Sequence, residues 1–356
     1  MKIALLNLPF DNNYGGNLQR YALMKVLREM GYDVTYLFLK FSPQNPPLQI
    51  QIYKSIVYAI RFLVGKRSWQ WTSVVTPKQL YEKKCISASS FMDKYVPHTE
   101  AIYDLKDLYK HTEFDIFLVG SDQVWRKSIA KHYLSTMFFD YLPESKKKVA
   151  YSVSLGSEQN EYTKEEIDKF AKLYAKFTAV SVREESALNL FEDYKWTSPR
   201  AFRTLDPTLL LDKQDYINLI EAANTFPSKG NLFCYILDPS KEKESTIARF
   251  MDEKGLKPYS FGINENSSSS IEQWLRSFMD ADFVVTDSFH GFVFSIIFNK
   301  PFYLFKNEFR GNARFDSLCQ ILGVDLDRTE QNWVRVNQRR NQEIVNSIGF
   351  LRSALQ

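Results

Sequence analysis

The sequence predicts an α/β protein: two Rossmann-like lobes with mostly parallel sheets and a cleft between them. Short apolar runs alternate with helical spacings through most of the chain, which is the signature of strand–helix–strand crossovers. The alternation fades between Phe191 and Gly230, where Pro199, Pro207 and Pro227 interrupt the chain, and then resumes. The length, 356 residues, is more than one ordinary hydrophobic core serves.

In the first lobe Lys2–Leu8 reads as a buried strand and Asp11–Gly16 as a turn. Asn17–Met30 follows with Leu18, Tyr21, Ala22 and Val26 on one helical face, and Gly31 stops that helix. Asp33–Leu39 is the next strand, so the glycine-bearing turn lies at the carboxyl end of the first. Asp115–Gly120 and Lys148–Gly156 read as further strands. Thr163 and Glu166 form a capping box before a helix carrying Ile167, Phe170, Ala171 and Tyr174. Thr178–Glu184 is a strand and Ser186–Phe191 a short helix.

The second lobe repeats the plan with strands at Asn231–Asp238, Lys257–Gly262, Phe283–Asp287 and Pro301–Phe305. Its helices are Ser240–Lys254, closed by Gly255, a segment after the Ser270 and Gln273 cap, and Phe289–Phe298. Asn264–Ser270 is a serine-rich loop. The first lobe is therefore expected over 1–210, with a helical insertion at about 43–112, and the second over 211–330. Residues 331–356 carry Ile344, Val345, Ile348, Leu351 and Leu355 at helical spacing and are expected to cross back to the first lobe.

Composition narrows the function. Forty-six Lys and Arg against 42 Asp and Glu leave a net charge of +4, too mild for a nucleic-acid partner but compatible with a small anionic substrate. Cys85, Cys234 and Cys319 stand at spacings of neither a disulfide framework nor a metal site. The opening MKIALLNLPF is too short for a signal peptide, and no apolar run approaches the roughly 18 residues of a membrane span. A cytoplasmic location is the expectation. Leu48–Trp71 mixes Ile, Val and Leu with Lys54, Arg61, Lys66 and Arg67. A core helix, a dimer contact, or an interfacial helix on the anionic inner face of the cell membrane each accounts for it.

Four polar clusters stand at the carboxyl ends of predicted strands, where ligands bind in open parallel sheets. In Thr286-Asp287-Ser288-Phe289-His290-Gly291 the histidine falls in the first turn of a helix, a place suited to an anion and to proton transfer. Capping by Ser288 or Asp287, with His290 as a satisfied core residue, is the competing reading. Arg183 offers a planar fork for carboxylate or phosphate, or else pairs with Glu184 or Glu185. Arg314 is a similar case. Asn13-Tyr14-Gly15-Gly16-Asn17-Leu18-Gln19 lets a ligand approach the backbone closely, and it is neither a dinucleotide fingerprint nor a Walker motif. Gly120-Ser121-Asp122-Gln123-Val124-Trp125 combines short polar side chains with an indole that could stack on a sugar. Convergence of all four on one cleft is what separates them from ordinary turns.

In this order the clusters resemble the polysaccharide pyruvyl transferase family. Asn13-Tyr14-Gly15 with Leu18-Gln19-Arg20-Tyr21-Ala22-Leu23, Gly120 to Trp125, Tyr151 to Gly156, Val182-Arg183-Glu184 and Asp206-Pro207-Thr208 carry the likeness in the first lobe. Thr286 to Gly291, Asn299-Lys300-Pro301-Phe302 and Gly311-Asn312-Ala313-Arg314-Phe315 carry it in the second, so the match runs from 1 to about 325. The resemblance implies a fold like that of B-type glycosyltransferases and transfer of pyruvate from phosphoenolpyruvate to two hydroxyls of a sugar. The sugar would belong to a cell-surface polysaccharide or its lipid-linked precursor, the product would be a cyclic ketal, and neither cofactor nor metal is expected. On this reading His290, Arg183 and Asp287 carry the chemistry, and Ser288, Gly291, Arg314 and Lys300 hold the donor. Asn13, Gly15, Gly16, Asn17, Gln19, Ser121, Asp122, Gln123 and Trp125 face the acceptor. Many family members place an arginine and a leucine before the histidine. Here Ser288 and Phe289 stand there, so Arg314 or Lys300 must supply the missing cation. A nucleotide-sugar glycosyltransferase and a catalytically silent glycan-binding protein are the alternatives.

Overall fold

The computed structural model describes residues 1–41, 77–260, 269–306 and 312–356. The stretch Leu48–Trp71, most of the first half of the 43–112 insertion, and residues 264–268 of the serine-rich loop lie outside them. Two all-parallel sheets organise the rest. The first has the order β2-β1-β3-β4-β5-β6, from β1 (Lys2–Leu6), β2 (Asp33–Tyr36), β3 (Ile116–Val119), β4 (Lys147–Val153), β5 (Ala179–Val182) and β6 (Ala201–Arg203). The second has the order β10-β9-β7-β8, from β7 (Leu232–Tyr235), β8 (Pro258–Ser260), β9 (Phe283–Thr286) and β10 (Phe302–Leu304). Parallel pairing sends every strand's carboxyl end to the same edge of its sheet.

The connecting helices are α1 (Tyr14–Glu29), α2 (Pro77–Tyr95), α3 (Lys164–Tyr174), α4 (Glu185–Asp193), α5 (Lys213–Glu221), α6 (Lys241–Lys254), α7 (Ile271–Asp280), α8 (Phe289–Ile297), α9 (Ala313–Leu322) and α10 (Trp333–Leu355). The capping box ahead of α3 forms, with Thr163 Oγ1 accepting from the Glu166 N–H and the Glu166 carboxylate accepting from the Thr163 N–H. Helix α1 begins at Tyr14, three residues earlier than its periodicity indicates, because Asn13 caps it by accepting from the Gly16 N–H at 3.2 Å. The expected glycine turn is thus the first turn of α1.

Two elements occur where periodicity fades. The edge strand β6 is three residues long and leaves Phe202 exposed, too little alternation to read from sequence. Helix α5 buries Tyr216, Leu219 and Ile220 on one side, and its capping box uses Asp212 with Asp215. The prolines upstream of it obscured an otherwise helical spacing.

Period-two alternation explains how the lobes meet. In β1, Ala4 and Leu6 face the outer layer of the first lobe, while Ile3 and Leu5 face inward. In β7, Leu232 and Cys234 face the outer layer of the second lobe, and Phe233 and Tyr235 face inward. Both inner faces share one apolar cluster with residues of α1, α5, α7, α8 and α10. Trp274 stands in it with its ring centroid 5.1 Å from Phe294, 4.7 Å from Phe278 and 5.6 Å from Tyr14 of the first lobe. Each such aromatic contributes roughly 1.5–3 kcal/mol through burial. Helix α10 reaches the first lobe, where Ser347 Oγ accepts from the Leu205 N–H at 3.0 Å and Phe350 lies 6.2 Å from Tyr151.

Candidate active site

Side chains following five strands meet where the two sheets' carboxyl edges face each other. Asp122 follows β3, Arg183 follows β5, Asp206 follows β6, His290 opens α8 after β9, and Arg314 opens α9 after β10. The sharp turn after β3 puts Asp122 at φ 77°, in the left-handed region. Its carboxylate accepts from Arg183 Nη2 at 3.3 Å. Arg183 Nη1 donates to Asp206 Oδ2 at 2.8 Å, and its Nε lies 3.7 Å from Glu184 Oε2. The same Asp206 oxygen accepts from Gln19 Nε2 at 2.6 Å, while Oδ1 accepts from the Thr208 N–H and hydroxyl at 3.0 and 2.7 Å. His290 Nε2 lies 3.8 Å from Asp206 Oδ2, is buried and has no hydrogen-bond partner. The Phe289 ring lies between the lobes' arginines, 4.6 Å from the Arg183 guanidinium carbon and 5.2 Å from that of Arg314.

Glycine at position 15 is a condition of this arrangement. A Cβ there would overlap Nδ1 and Cγ of His290, so the first turn of α1 lies directly against the imidazole of the opposite lobe. Gly291 plays a comparable part within its own lobe, where a Cβ would overlap the Thr286 hydroxyl.

Burial and charge oppose each other throughout the cluster. Burial pushes the His290 imidazole below its ordinary value; Asp206 and Asp122 pull it up, Arg183 and Arg314 push it down again, and the net shift is downward. Burial alone would raise Asp122 and Asp206. For Asp122 the charges of Arg183, His290 and Arg314 outweigh it, and for Asp206 those of His290 and Arg183 with the Thr208 hydrogen bond do so, leaving both carboxyls below their usual range. Arg183 is lowered by burial but raised more by Asp122, Asp206 and Glu184. Arg314 is pushed down to about 10, first by burial and then by Arg183. The side chains of Asp122 and His290 keep 16 % and 9 % exposure against 1 % for Asp206, so solvent meets the cluster on the Asp122–His290 side.

The structure thus brings together Arg183, His290, Asp122, Gln19, Gly15 and Arg314 of the residues named from sequence. Others lie elsewhere. Asp287, expected to serve His290, gives its carboxylate to the N–H groups of Leu237 and Asp238 at 2.6 and 3.0 Å and to Lys243 Nζ at 2.7 Å. That expectation is corrected: the carboxylate beside the imidazole is Asp206. Lys300 precedes β10 and donates to the Met279 carbonyl at the amino edge of the second sheet, so of the two candidate replacement cations only Arg314 is at Phe289. Trp125 is fully buried, stacked on Phe138 at 4.3 Å with its indole N–H on the Met137 carbonyl, and offers no face to a sugar. Ser121 donates to the Ser152 carbonyl, Gln123 accepts from Arg126, and Asn17 accepts from Arg20. Asn13 and Ser288 cap α1 and α8, and Gly16 lies in the first turn of α1. A cavity of about 300 Å³ lies on the first lobe beside Phe10, Lys40, Tyr81, Cys85, Ser89 and Tyr103, none of which belongs to the cluster.

Asp206 and Arg126 were missing from the residues expected at the site. Arg126 bonds Glu161 and Gln123 and adds to the positive field at Arg314. Asp206 lies in a segment without clear periodicity, and only its place in the Asp206-Pro207-Thr208 motif marked it.

The sequence profile for polysaccharide pyruvyl transferases matches residues 13–308. The chain belongs to that family. The matched span takes in Gly15, Asp122, Arg183, Asp206 and His290; Arg314 and α10 lie beyond it, so the place of Arg314 at the site rests on geometry. No curated protein matches the sequence. Among solved structures, a UDP-GlcNAc 2-epimerase from Neisseria meningitidis bound to UDP-GlcNAc is 9% identical with a TM-score of 0.50, over 100% of this chain and 99% of that one. A Listeria monocytogenes protein described as a UDP-N-acetylglucosamine 2-epimerase is 8% identical with a TM-score of 0.51, over 98% and 90%. At such identities the likeness is one of fold, and it assigns this pyruvyl transferase family member to the GT-B class. Among the described residues no helix is long and apolar enough to cross a membrane.

Proposed function

We propose that the inter-lobe cluster transfers pyruvate from phosphoenolpyruvate to two hydroxyls of one sugar, closing a cyclic ketal on a polysaccharide or its precursor. The observation that carries this reading is His290: a buried imidazole with an unpartnered Nε2, set across the lobe boundary from a carboxylate and beside two arginines. A depressed proton affinity keeps the ring neutral near pH 7, ready to accept a hydroxyl proton.

The reaction balances as two additions and one loss. The first sugar hydroxyl adds to C2 of phosphoenolpyruvate while the methylene carbon gains a proton, and the His290 imidazole is suited to take the one and deliver the other. The C–O bond to phosphate then breaks, leaving an oxocarbenium centre that the second hydroxyl attacks. Its proton ends on the departing phosphate. Arg314 is the natural partner for the donor's anionic groups. Arg183 and Arg126 both depress its proton affinity, so an anion there relieves a positive field, and at about 10 it stays charged at neutral pH. Arg183 already holds two carboxylates, and its part is to keep that field fixed.

The test is incubation with phosphoenolpyruvate and a panel of free and lipid-linked glycosides, following phosphate release and a pyruvyl mass gain. Wild type should give both, and His290→Ala should give neither while melting cooperatively. Near-normal turnover by His290→Ala would reject the role, and binding of a sugar nucleotide with no response to phosphoenolpyruvate would favour glycosyl transfer.

A further inference from the structure

Asp206 is the point at which three separate elements meet. Its Oδ2 accepts from Gln19 of α1 at 2.6 Å and from Arg183 after β5 at 2.8 Å, and faces His290 Nε2 of α8 at 3.8 Å. Its Oδ1 is held by two donors from Thr208. The backbone beneath is pinned as well. The Leu205 N–H donates to Ser347 Oγ of α10 at 3.0 Å, and Tyr151 Oη donates to the Leu205 carbonyl at 3.1 Å. Arg340 of α10, itself buried, donates through Nε to the Leu209 carbonyl at 3.1 Å and through Nη2 to the Leu211 carbonyl. A carboxylate with four donors and a clamped backbone cannot turn away from the ring it faces.

We infer that Asp206 is a positioning residue of the reaction, one carboxylate that fixes the Arg183 fork and gives the His290 imidazole a buried counter-charge from the opposite lobe. The separation of 3.8 Å is too long for a hydrogen bond and too short to admit a water between the atoms. In the neutral ring Nε2 therefore makes no hydrogen bond to Asp206. Once the ring has taken up a proton, Nε2 carries an N–H, and an approach of about 1 Å makes a charge-assisted hydrogen bond to Oδ2. Asp206 thereby favours the imidazolium that exists between proton uptake and delivery. The other charged groups around the ring are Asp122, Arg183 and Arg314; Gly15 and Gln19 close the α1 side without charge. Glu184 is engaged elsewhere: its Oε1 accepts from Ser154, Leu155 and Gly156, and its Oε2 lies 3.7 Å from Arg183 Nε.

The inference rests on His290 as the proton carrier in pyruvyl transfer, so its test has a readout independent of turnover. The imidazole resonances of the 356-residue chain are titrated by NMR, with His290→Gln identifying the His290 signal among the four histidines. In Asp206→Asn that signal should titrate at lower pH than in wild type. The acid limb of kcat/KM should move the same way, and kcat should fall about 100-fold, by more than KM for phosphoenolpyruvate rises. Gln19→Leu removes a donor from Oδ2, strengthens its field at the ring, and should move the titration to higher pH. An unmoved His290 titration in a folded Asp206→Asn variant overturns the inference, whatever its activity. If that variant does not fold, an unmoved or downward titration in Gln19→Leu does so. Failure of wild type to turn over phosphoenolpyruvate with any acceptor would instead remove the pyruvyl-transfer reading and leave the titrations to decide the coupling.

Discussion

Asp122 and Asp287 stand in turns that follow inner strands of the two sheets, and they do opposite things. Asp122 turns into the cleft and meets Arg183 of its own lobe, under the influence of His290 and Arg314 from the other. Asp287 turns back into its lobe, where two backbone N–H groups and Lys243 enclose it with no exposure of its side chain. The β7–α6 connection it braces follows the strand next to β9, so Asp287 holds the floor on which α8 presents His290. Residue type and strand-end position are the same in both. The direction of the carboxylate decides the role, and the direction depends on which donors the neighbouring turn offers.

The sharpest way to break this comparison is to remove the enclosed carboxylate. Asp287→Ala leaves Lys243 and two backbone donors without their acceptor, so unfolding by denaturant should show a loss of about 3–5 kcal/mol. Turnover per folded molecule should fall less than in any cleft variant. A stable Asp287→Ala protein with abolished turnover would return Asp287 to the chemistry.

Asp122→Asn is the converse. It keeps the shape and removes a charge from the side that solvent reaches, while Arg183 retains Asp206 and Glu184. We expect kcat/KM for phosphoenolpyruvate to fall about 100-fold, or about 2.7 kcal/mol in activation free energy, with stability changed by about 1 kcal/mol. An unfolding midpoint lowered as far as in Asp287→Ala, with turnover intact, would show that both aspartates are structural.

Much of this organisation was legible in the residues. Apolar runs and helical spacings located the strands on both sides of the cleft because alternation and the 3.6-residue period follow directly from burial on one face. The parallel-sheet rule placed Arg183, Asp122 and His290 at one edge, where they lie. The same rule applied to Lys300 would have excluded it, since a residue just before a strand sits at the opposite edge. Trp125 misled for a different reason. An indole after Gly120-Ser121-Asp122-Gln123 suits a sugar platform, but here it joins Phe138, Tyr174, Phe177 and Phe191 in the outer core, where a good part of the aromatic content of the first lobe is spent. Asp206 was hidden because its partners are 187 residues upstream and 23 upstream in sequence, Gln19 and Arg183, and no local pattern encodes such a meeting.

The smallest expected effect separates the lobes by pH. His290 has a native proton affinity below its ordinary value, about 6.5, so as pH falls past that point the unfolded chain takes up a proton before the native one does. Stability therefore declines with falling pH from about 6.5 to the native value and then levels, by about 1.4 kcal/mol for each unit of difference. Asp122 and Asp206 also sit below their ordinary value, and their contribution is complete above about 3.8, being lost only as pH falls through the native values. The second lobe's imidazole and the first lobe's carboxylates thus act in separate windows. Denaturant midpoints of wild type and His290→Gln, measured from pH 7.5 to 4.5, should diverge: the wild-type curve descends below about pH 6.5, and the variant lacks that component of the slope. Titrating groups that do not interact with the ring contribute equally to both proteins and cancel in the difference, leaving the ring and the two carboxylates it helps to lower. Parallel curves would mean that the ring is not buried between the lobes as Gly15 and Asp206 place it.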